Sequence, residues 1–282
     1  MEQLSGTAPE HICNLFRQNC SGFVKMVNSR GIYLQLGFKV VLLCHSAFGT
    51  VPNGVALEQW DRLSSLIAPD QPVESEAGVL HFPSTVWDMQ LRKVPRDTQI
   101  HFHREDQLSA GMHLLLANTK PTGLSALAYP LFAGQTPRMN VYCDMALPHV
   151  SALLKALKEE NLYGIRQPVS ALLGLGPGLT PSGDDLLSGL LYGLRHGPAR
   201  GTTICEALSD TIRELAGEQT NAVSADYLSA IADDAPFDRM SAAWVNPATG
   251  AAELMQIGNN SGGEMLLGLL CAGSIQLRQP QL

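Results

Sequence analysis

Two ten-residue stretches of this chain are versions of one another. Ser182-Gly183-Asp184-Asp185-Leu186-Leu187-Ser188-Gly189-Leu190-Leu191 aligns without gaps against Ser261-Gly262-Gly263-Glu264-Met265-Leu266-Leu267-Gly268-Leu269-Leu270, at an offset of 79 residues (261 − 182). Each opens on a serine suited to a helix N-cap and carries an acid three residues later, the outline of a capping box. Each then runs into an apolar helix with a glycine in its middle, a placement that costs about 1 kcal/mol against alanine. A helix keeps such a glycine where another backbone must come close. The pattern predicts two packed helices whose starts face a shared site, with the loop Gly258-Asn259-Asn260-Ser261-Gly262 as its second wall.

The first copy is entered through Leu175-Gly176-Pro177-Gly178-Leu179-Thr180-Pro181. Two helix starts are compatible with it. Ser182 is N-cap with Asp185 at N3, or Thr180 is N-cap with Pro181 at N1, where the missing N–H costs nothing. In both, unpaired N–H groups at the helix start suit an anion. The adjacent carboxylates suit a divalent metal such as Mg²⁺, or balance the helix dipole. Successive helical residues point about 100° apart, so Asp184 and Asp185 face different ways. If Ser182 caps, Asp185 closes the capping box and Asp184 is the chemical or Mg²⁺-binding residue; the other register reverses this. Capping explains Ser182 and Asp185 but not Gly176, Pro177, Gly178, Thr180 and Pro181 together.

The 282 residues are 45% hydrophobic and 16% charged, enough for one large or two modest domains. A formal net charge of −7 argues against a nucleic-acid or anionic-membrane binder. The six cysteines, Cys13, Cys20, Cys44, Cys143, Cys205 and Cys271, show no C-x-x-C spacing, so zinc-ribbon and thioredoxin-like readings fail. The first ten residues lack the regions of a signal peptide, and the longest apolar runs are too short to span a bilayer. The expectation is a cytoplasmic protein with reduced thiols.

Along the chain, 23–27, 32–36 and 38–44 read as strands joined by turns, the first at Asn28-Ser29-Arg30-Gly31. Residues 61–68 suit a short helix, and 78–82 and 86–91 alternate like strands. For 113–118 periodicity does not decide. The stretch 121–138, rich in Pro, Gly and small residues, reads as the crossing between halves. After Pro148 the spacing is helical, and 202–217, 221–232 and 250–257 are further helices. The expected fold is α+β, with a β-rich domain over 1–135 and a helical domain over 136–282 that carries the glycine–proline loop.

The run Gly-Pro-Gly-Leu-Thr-Pro-Ser-Gly-Asp-Asp at 176–185 resembles the hallmark of the bacterial AllH-like family, subunits of the oxamate carbamoyltransferase of anaerobic allantoin breakdown. Other elements resemble the family more weakly: Ser21-Gly22-Phe23-Val24-Lys25-Met26-Val27-Asn28, the turn Pro52-Asn53-Gly54, the pair Thr220 and Ser224, and the late Ser261-Gly262. Where the family has Trp-Asp after its late Ser-Gly, this chain has Gly263-Glu264, so no role carries over to Glu264. The resemblance implies equilibration of oxalurate and phosphate with oxamate and carbamoyl phosphate, acting with an acyl-CoA-synthetase-like subunit and a smaller subunit. It implies a small anionic substrate, and Lys25 and Asn28 as binding residues.

Carbamoyl transfer to phosphate passes through a tetrahedral centre bearing oxyanion charge, which oriented donors stabilise. The expected donors are the N–H groups of Gly183 to Asp185 and the hydroxyls of Thr180 and Ser182. Phosphate is itself the nucleophile, so no cysteine needs a catalytic role. The candidate catalytic residues are Asp184, Asp185 and Thr180. The candidate binding residues are Gly176, Gly178, Ser182, Gly183, Ser261 and Gly262, with Lys25 and Asn28. Thr220 and Ser224, four apart, fall on one helix face and either offer hydroxyls to substrate or serve packing. Arg195, Arg200 and Arg239 are candidates for a substrate carboxylate, or solvated surface groups. His45 beside Ser46 is a catalytic pair only on paper, and His101 with His103 lacks a third metal ligand. The competing readings are a non-catalytic assembly subunit and a stand-alone phosphate- or nucleotide-binding enzyme; the latter lacks the glycine-rich Walker loop.

Overall fold

Short apolar runs alternating with turns build the first part of the chain. The computed structural model describes residues 2–28, 31–101 and 104–276. In order come β1 (Glu2–Pro9), α1 (Glu10–Arg17), β2 (Cys20–Asn28), β3 (Gly31–Leu36), β4 (Lys39–His45), β5 (Gly54–Leu57), α2 (Trp60–Ser64), β6 (Pro72–Glu76), β7 (Val79–Phe82) and β8 (Thr85–Val94). The strands close into a barrel in the order β1-β5-β4-β3-β2-β6-β7-β8. Closure is parallel, β1 running beside β8 from Glu2 opposite Trp87 to Pro9 opposite Val94. A barrel leaves no open edge strand. Period-2 alternation buries Leu4, Val24, Leu34, Leu43, Leu80 and Trp87 completely. Helix α1 adds Ile12 and Phe16 to this core. The Phe16 carbonyl accepts from Gly78 N–H (2.9 Å) and Ser75 Oγ (2.8 Å), fixing α1 to the sheet.

The second part is helical: α3 (Glu105–Ala117), α4 (Val141–Lys158), α5 (Arg166–Leu172), α6 (Ser182–Arg195), α7 (Thr203–Gln219), α8 (Ala222–Ala232), α9 (Asp238–Val245), α10 (Pro247–Leu254) and α11 (Ser261–Gln276). The fold is therefore α+β, β-rich first and helical second. Contacts divide the chain into one unit of Met1–Asp97 with Ala235–Asp238, and another of Thr98–Asp234 with Arg239–Leu282. The division differs from the expected crossing at 121–138. Of residues 113–118, undecided by periodicity, 113–117 belong to α3 and Asn118 is its C-cap; Gly111 of this helix meets Pro247 and Leu270, and its Leu108 meets Gly273. Helix α4 starts at Val141, earlier than expected, because the Asn140 side chain caps it at Cys143 N–H (3.1 Å); Pro148 lies inside it.

Helices α6 and α11 pack as the repeat predicted. A Cβ on Gly189 would lie 2.0 Å from the Met265 carbonyl oxygen, and one on Gly268 would lie 2.1 Å from that of Leu186. Each glycine admits the other helix's backbone. No helix among the described residues is long and apolar enough to cross a membrane. All six cysteines are free thiols, five of them buried. Burial pushes Cys143 and Cys205 up to about 11 and Cys271 up to about 12, so these stay neutral.

Gly189→Ala or Gly268→Ala should lower stability by about 3 kcal/mol or more, because backbone cannot yield as a side chain does. Gly217→Ala, in α7 with nothing within 4 Å of a new Cβ, should raise it by about 0.5–1 kcal/mol. Thermal melts of the three variants test the contrast.

Candidate functional site

Helix α6 begins differently from both expected registers. Pro181 is the N-cap, Ser182 is the first helical residue, and no side chain caps the start. Proline offers no side-chain acceptor, and the backbone closes the helix instead. Asp184 and Asp185 N–H donate to the Pro181 carbonyl (2.9 and 3.0 Å), and Gly183 N–H donates to the Leu175 carbonyl (2.9 Å). The three N–H groups expected to receive an oxyanion are thus already paired. The elbow can fold back this far because Gly176 and Gly178 take φ of +113° and +105°.

The second copy repeats the construction. Gly262 N–H donates to the Ile257 carbonyl (2.9 Å), and Gly263 and Glu264 N–H donate to that of Asn260 (3.0 and 3.2 Å). Each helix start rests on the end of the preceding helix. A Cβ on Gly183 would lie 2.0 Å from the Leu172 carbonyl oxygen, and one on Gly262 would lie 1.9 Å from that of Leu254. The repeat is therefore helix–turn–helix, α5 to α6 and α10 to α11. The first turn is three residues longer (183 − 172 = 11 against 262 − 254 = 8) and exposes Pro177 and Gly178. The two turns meet where Thr180 Oγ1 and Ser261 Oγ lie 3.2 Å apart.

The paired carboxylates have opposite surroundings. Asp184 Oδ1 accepts Gly174 N–H (2.8 Å), and its Oδ2 accepts Ser224 Oγ (2.6 Å) and Thr220 Oγ1. Burial raises its pKa, and these three donors pull it back. Asp184 thus ties α6 to the α7–α8 junction. Thr220 is the C-cap of α7 and Ser224 lies in the first turn of α8. They do not share one helix face as their spacing suggested, and both hydroxyls are committed to Asp184.

Asp185 is also 1% exposed, but neither of its oxygens closes a hydrogen bond. Burial raises its pKa well above the ordinary value, and the Glu264 charge adds to this; the facing hydroxyls of Ser261 and Thr180 oppose it. Glu264, 1% exposed, accepts Leu124 N–H at Oε1 (2.8 Å). Burial raises its pKa, against the Leu124 N–H, the Ser182 hydroxyl and the Lys120 charge. Neither capping box outlined in the sequence forms within its own helix: the Ser182 hydroxyl bears on the acid of the second copy, and the Ser261 hydroxyl faces the acid of the first.

Glu264 is the site residue that sequence reading left without a role. Its signal was there, since it occupies the repeat position of Asp185. The covering segment had no such signal. Lys120 Nζ bonds the Asn259 carbonyl, Thr122 Oγ1 donates to Asn260 Oδ1 (3.2 Å), and Gly123 packs against Glu264.

The remaining candidates lie elsewhere. Lys25 is exposed on the barrel, at a β-bulge where β2 slips against β3 between Val24 and Met26, a device that re-aims a side chain. Asn28 Oδ1 accepts Gly31 N–H (3.0 Å) between the end of β2 and the start of β3; Ser29 and Arg30 of the expected turn lie outside the described residues. Arg195 is buried, unlike a solvated surface group. It grips Asp234 through Nε (2.6 Å) and Nη2 (3.0 Å), and Arg200 Nη2 bonds the same carboxylate (2.9 Å). Arg239 Nη1 bonds the Glu253 carbonyl (3.3 Å). His45 Nδ1 accepts Ala47 N–H (2.9 Å), capping a short turn. His103, of the His101–His103 pair, lies outside the described residues. Among the described residues no group of three or more His, Cys, Asp or Glu could hold a metal.

Residues 172–273 match the family model described as oxamate carbamoyltransferase subunit AllH. The matched span runs from the end of α5 to near the end of α11, so it takes in both copies of the repeat. No curated protein and no solved structure matches the chain.

Asp184→Ala should cost about 3–5 kcal/mol, because it strands three donors beside a buried void; Ser224→Ala should cost about 1–3 kcal/mol. Urea unfolding checks both. Burial alone would raise the Asp234 carboxyl, but the Arg195 hydrogen bond and the Arg195 and Arg200 charges hold it below the ordinary value. Its contribution is therefore complete above about pH 4, the unfolded pKa, and fades as pH falls through the lower native one. Asp234→Asn should cost about 3–5 kcal/mol at neutral pH, and the gap from wild type should narrow in melts below about pH 4.

Proposed function

From the AllH-like family assignment that the match supports, we propose that this chain is a subunit of an oxamate carbamoyltransferase. The reaction joins oxalurate and phosphate to give oxamate and carbamoyl phosphate. A phosphate oxygen attacks the terminal carbamoyl carbon of oxalurate, the bond from that carbon to the oxamate nitrogen breaks, and that nitrogen takes up a proton. An acyl-CoA-synthetase-like subunit and a smaller subunit complete the assembly, and the complex works in the cytoplasm.

The observation that carries a binding role is the meeting of the two turns at Thr180 and Ser261. In a hydroxyl pair one proton bridges the two oxygens, and the other is left to donate to a further acceptor. The N–H groups of Gly176 and Gly178 meet no acceptor among the described residues. Together these suit the oxygens of phosphate or of the carbamoyl group at the longer, outer turn. Asp184 acts here by holding the elbow against α7 and α8 rather than by touching substrate. The internal pairing of Gly183, Asp184 and Asp185 N–H favours a second reading, in which the elbow only shapes an interface for the partner subunits.

Calorimetric titration with carbamoyl phosphate, on the chain alone and on the assembled complex, together with co-purification, separates the two. A binding role predicts that Thr180→Val with Ser261→Ala weakens affinity at least tenfold, about 1.4 kcal/mol, while the subunits still co-purify. Unchanged affinity with loss of co-purification would leave only the interface reading.

A further inference from the structure

Buried acids in the helical unit are matched with care. Asp184 has three donors and Asp234 has two guanidinium groups. Asp185 has neither: both its oxygens are buried without a hydrogen-bond partner. Beside it stands Glu264, the corresponding acid of the other helix start, with Leu124 N–H on one oxygen. The charge of Glu264 bears on Asp185. Lys120 is the cation whose field reaches Glu264, but its ammonium is bonded to the Asn259 carbonyl. Asp184 and the buried Tyr227 phenol also bear on Asp185, and the Cys143 thiol bears on Glu264. Three aliphatic hydroxyls stand among them. Thr180 and Ser261 face Asp185, and Ser182 reaches Glu264.

We infer that Asp185 and Glu264, with the hydroxyls of Thr180, Ser182 and Ser261, form a site for one hard divalent cation of the Mg²⁺ or Mn²⁺ kind. The proposed donor set is oxygen throughout, as such ions require; the nearby Cys143 is bonded to the Gly123 carbonyl (3.2 Å) and, pushed up to about 11, stays a neutral thiol that does not favour a softer metal. Two carboxylates are fewer than a dedicated protein cage uses, so hydroxyls and solvent complete the shell, as is usual for Mg²⁺. One dication cancels both charges. The competing arrangement is a proton shared between the acids. It would leave one negative charge buried and an Asp185 oxygen still without a partner. The repeat supplies a structural reason for the cation: each copy contributes one acid, so a bound ion pins the two helix starts together. The inference does not rest on the carbamoyl-transfer reading.

The test is Mn²⁺ titration of chelator-stripped protein followed by electron paramagnetic resonance. The expected result is one bound Mn²⁺ per chain, displaced by Mg²⁺. Asp185→Asn and Glu264→Gln should each weaken binding at least tenfold while circular dichroism stays native. In metal-free buffer Asp185→Asn should melt at or above wild type, since it removes an uncompensated buried charge; added MgCl2 should raise the melting temperature of wild type alone. Absence of Mn²⁺ binding by the wild type, or equal affinity in the folded Asp185→Asn or Glu264→Gln protein, overturns the site in favour of the shared proton. Carbamoyl phosphate titration in metal-free buffer reads the earlier proposal separately, so the two can fail independently.

Discussion

The contact on which the helical unit depends is backbone against backbone, where α6 and α11 cross. Gly189 lies under the Met265 carbonyl and Gly268 under that of Leu186, leaving no room for even a methyl group. Such an approach sacrifices helix propensity and side-chain burial at two central positions. In return it sets the separation and register of the two helices tightly, because main chain cannot change rotamer. Everything at the helix starts inherits that precision. Gly183 and Gly262 repeat the device one level up, seating each helix start on the end of the helix before it.

This scaffold explains the unequal fates of neighbouring carboxylates. Asp184 and Asp185 are adjacent and equally buried, yet they leave α6 in different directions. One meets the α7–α8 junction, where an N–H and two hydroxyls satisfy it. The other meets the matching half of the repeat, where the principal neighbour is another acid. Burying a charge among donors is ordinary protein construction. Burying one against a second like charge is expensive and persists where something offsets it. That asymmetry marks the Asp185 side, and not Asp184, as the chemically unusual one.

The comparison with known families touches the same region. The matched span runs from the end of α5 to near the end of α11 and contains both turns and both glycine pairs. The barrel lies outside that span. Its bulge at Lys25 is the feature there that most merits attention, since a bulge in an otherwise regular β2–β3 ladder turns one cationic side chain out of register. Arg195 and Arg200, by contrast, converge on Asp234, with further bonds to Glu206 and to the Arg195 carbonyl, and serve the stability of the helical unit.

Much of this was legible in the residues. The β2–β3–β4 meander followed from alternation and turn composition, and the packing of α6 on α11 followed from two glycines at matching positions of a repeat. Local chemistry sufficed because each of these signals lies within one segment. The closure of the barrel did not show, since β1 pairs with β8 across more than eighty residues and its Ser5-Gly6-Thr7-Ala8 carries little strand pattern. Nor did the membership of α3 in the helical unit, which depends on what Leu108 and Gly111 meet far along the chain. The capping roles changed for the same reason. A Ser-x-x-acid spacing predicts a box within one helix, but the tertiary structure placed a second, nearly identical box opposite. Sequence alone determined that two like helix starts exist and that both carry a serine and an acid. Only the fold decided that each serine faces the other helix's acid, because neighbours are set by distance in space and not by position along the chain.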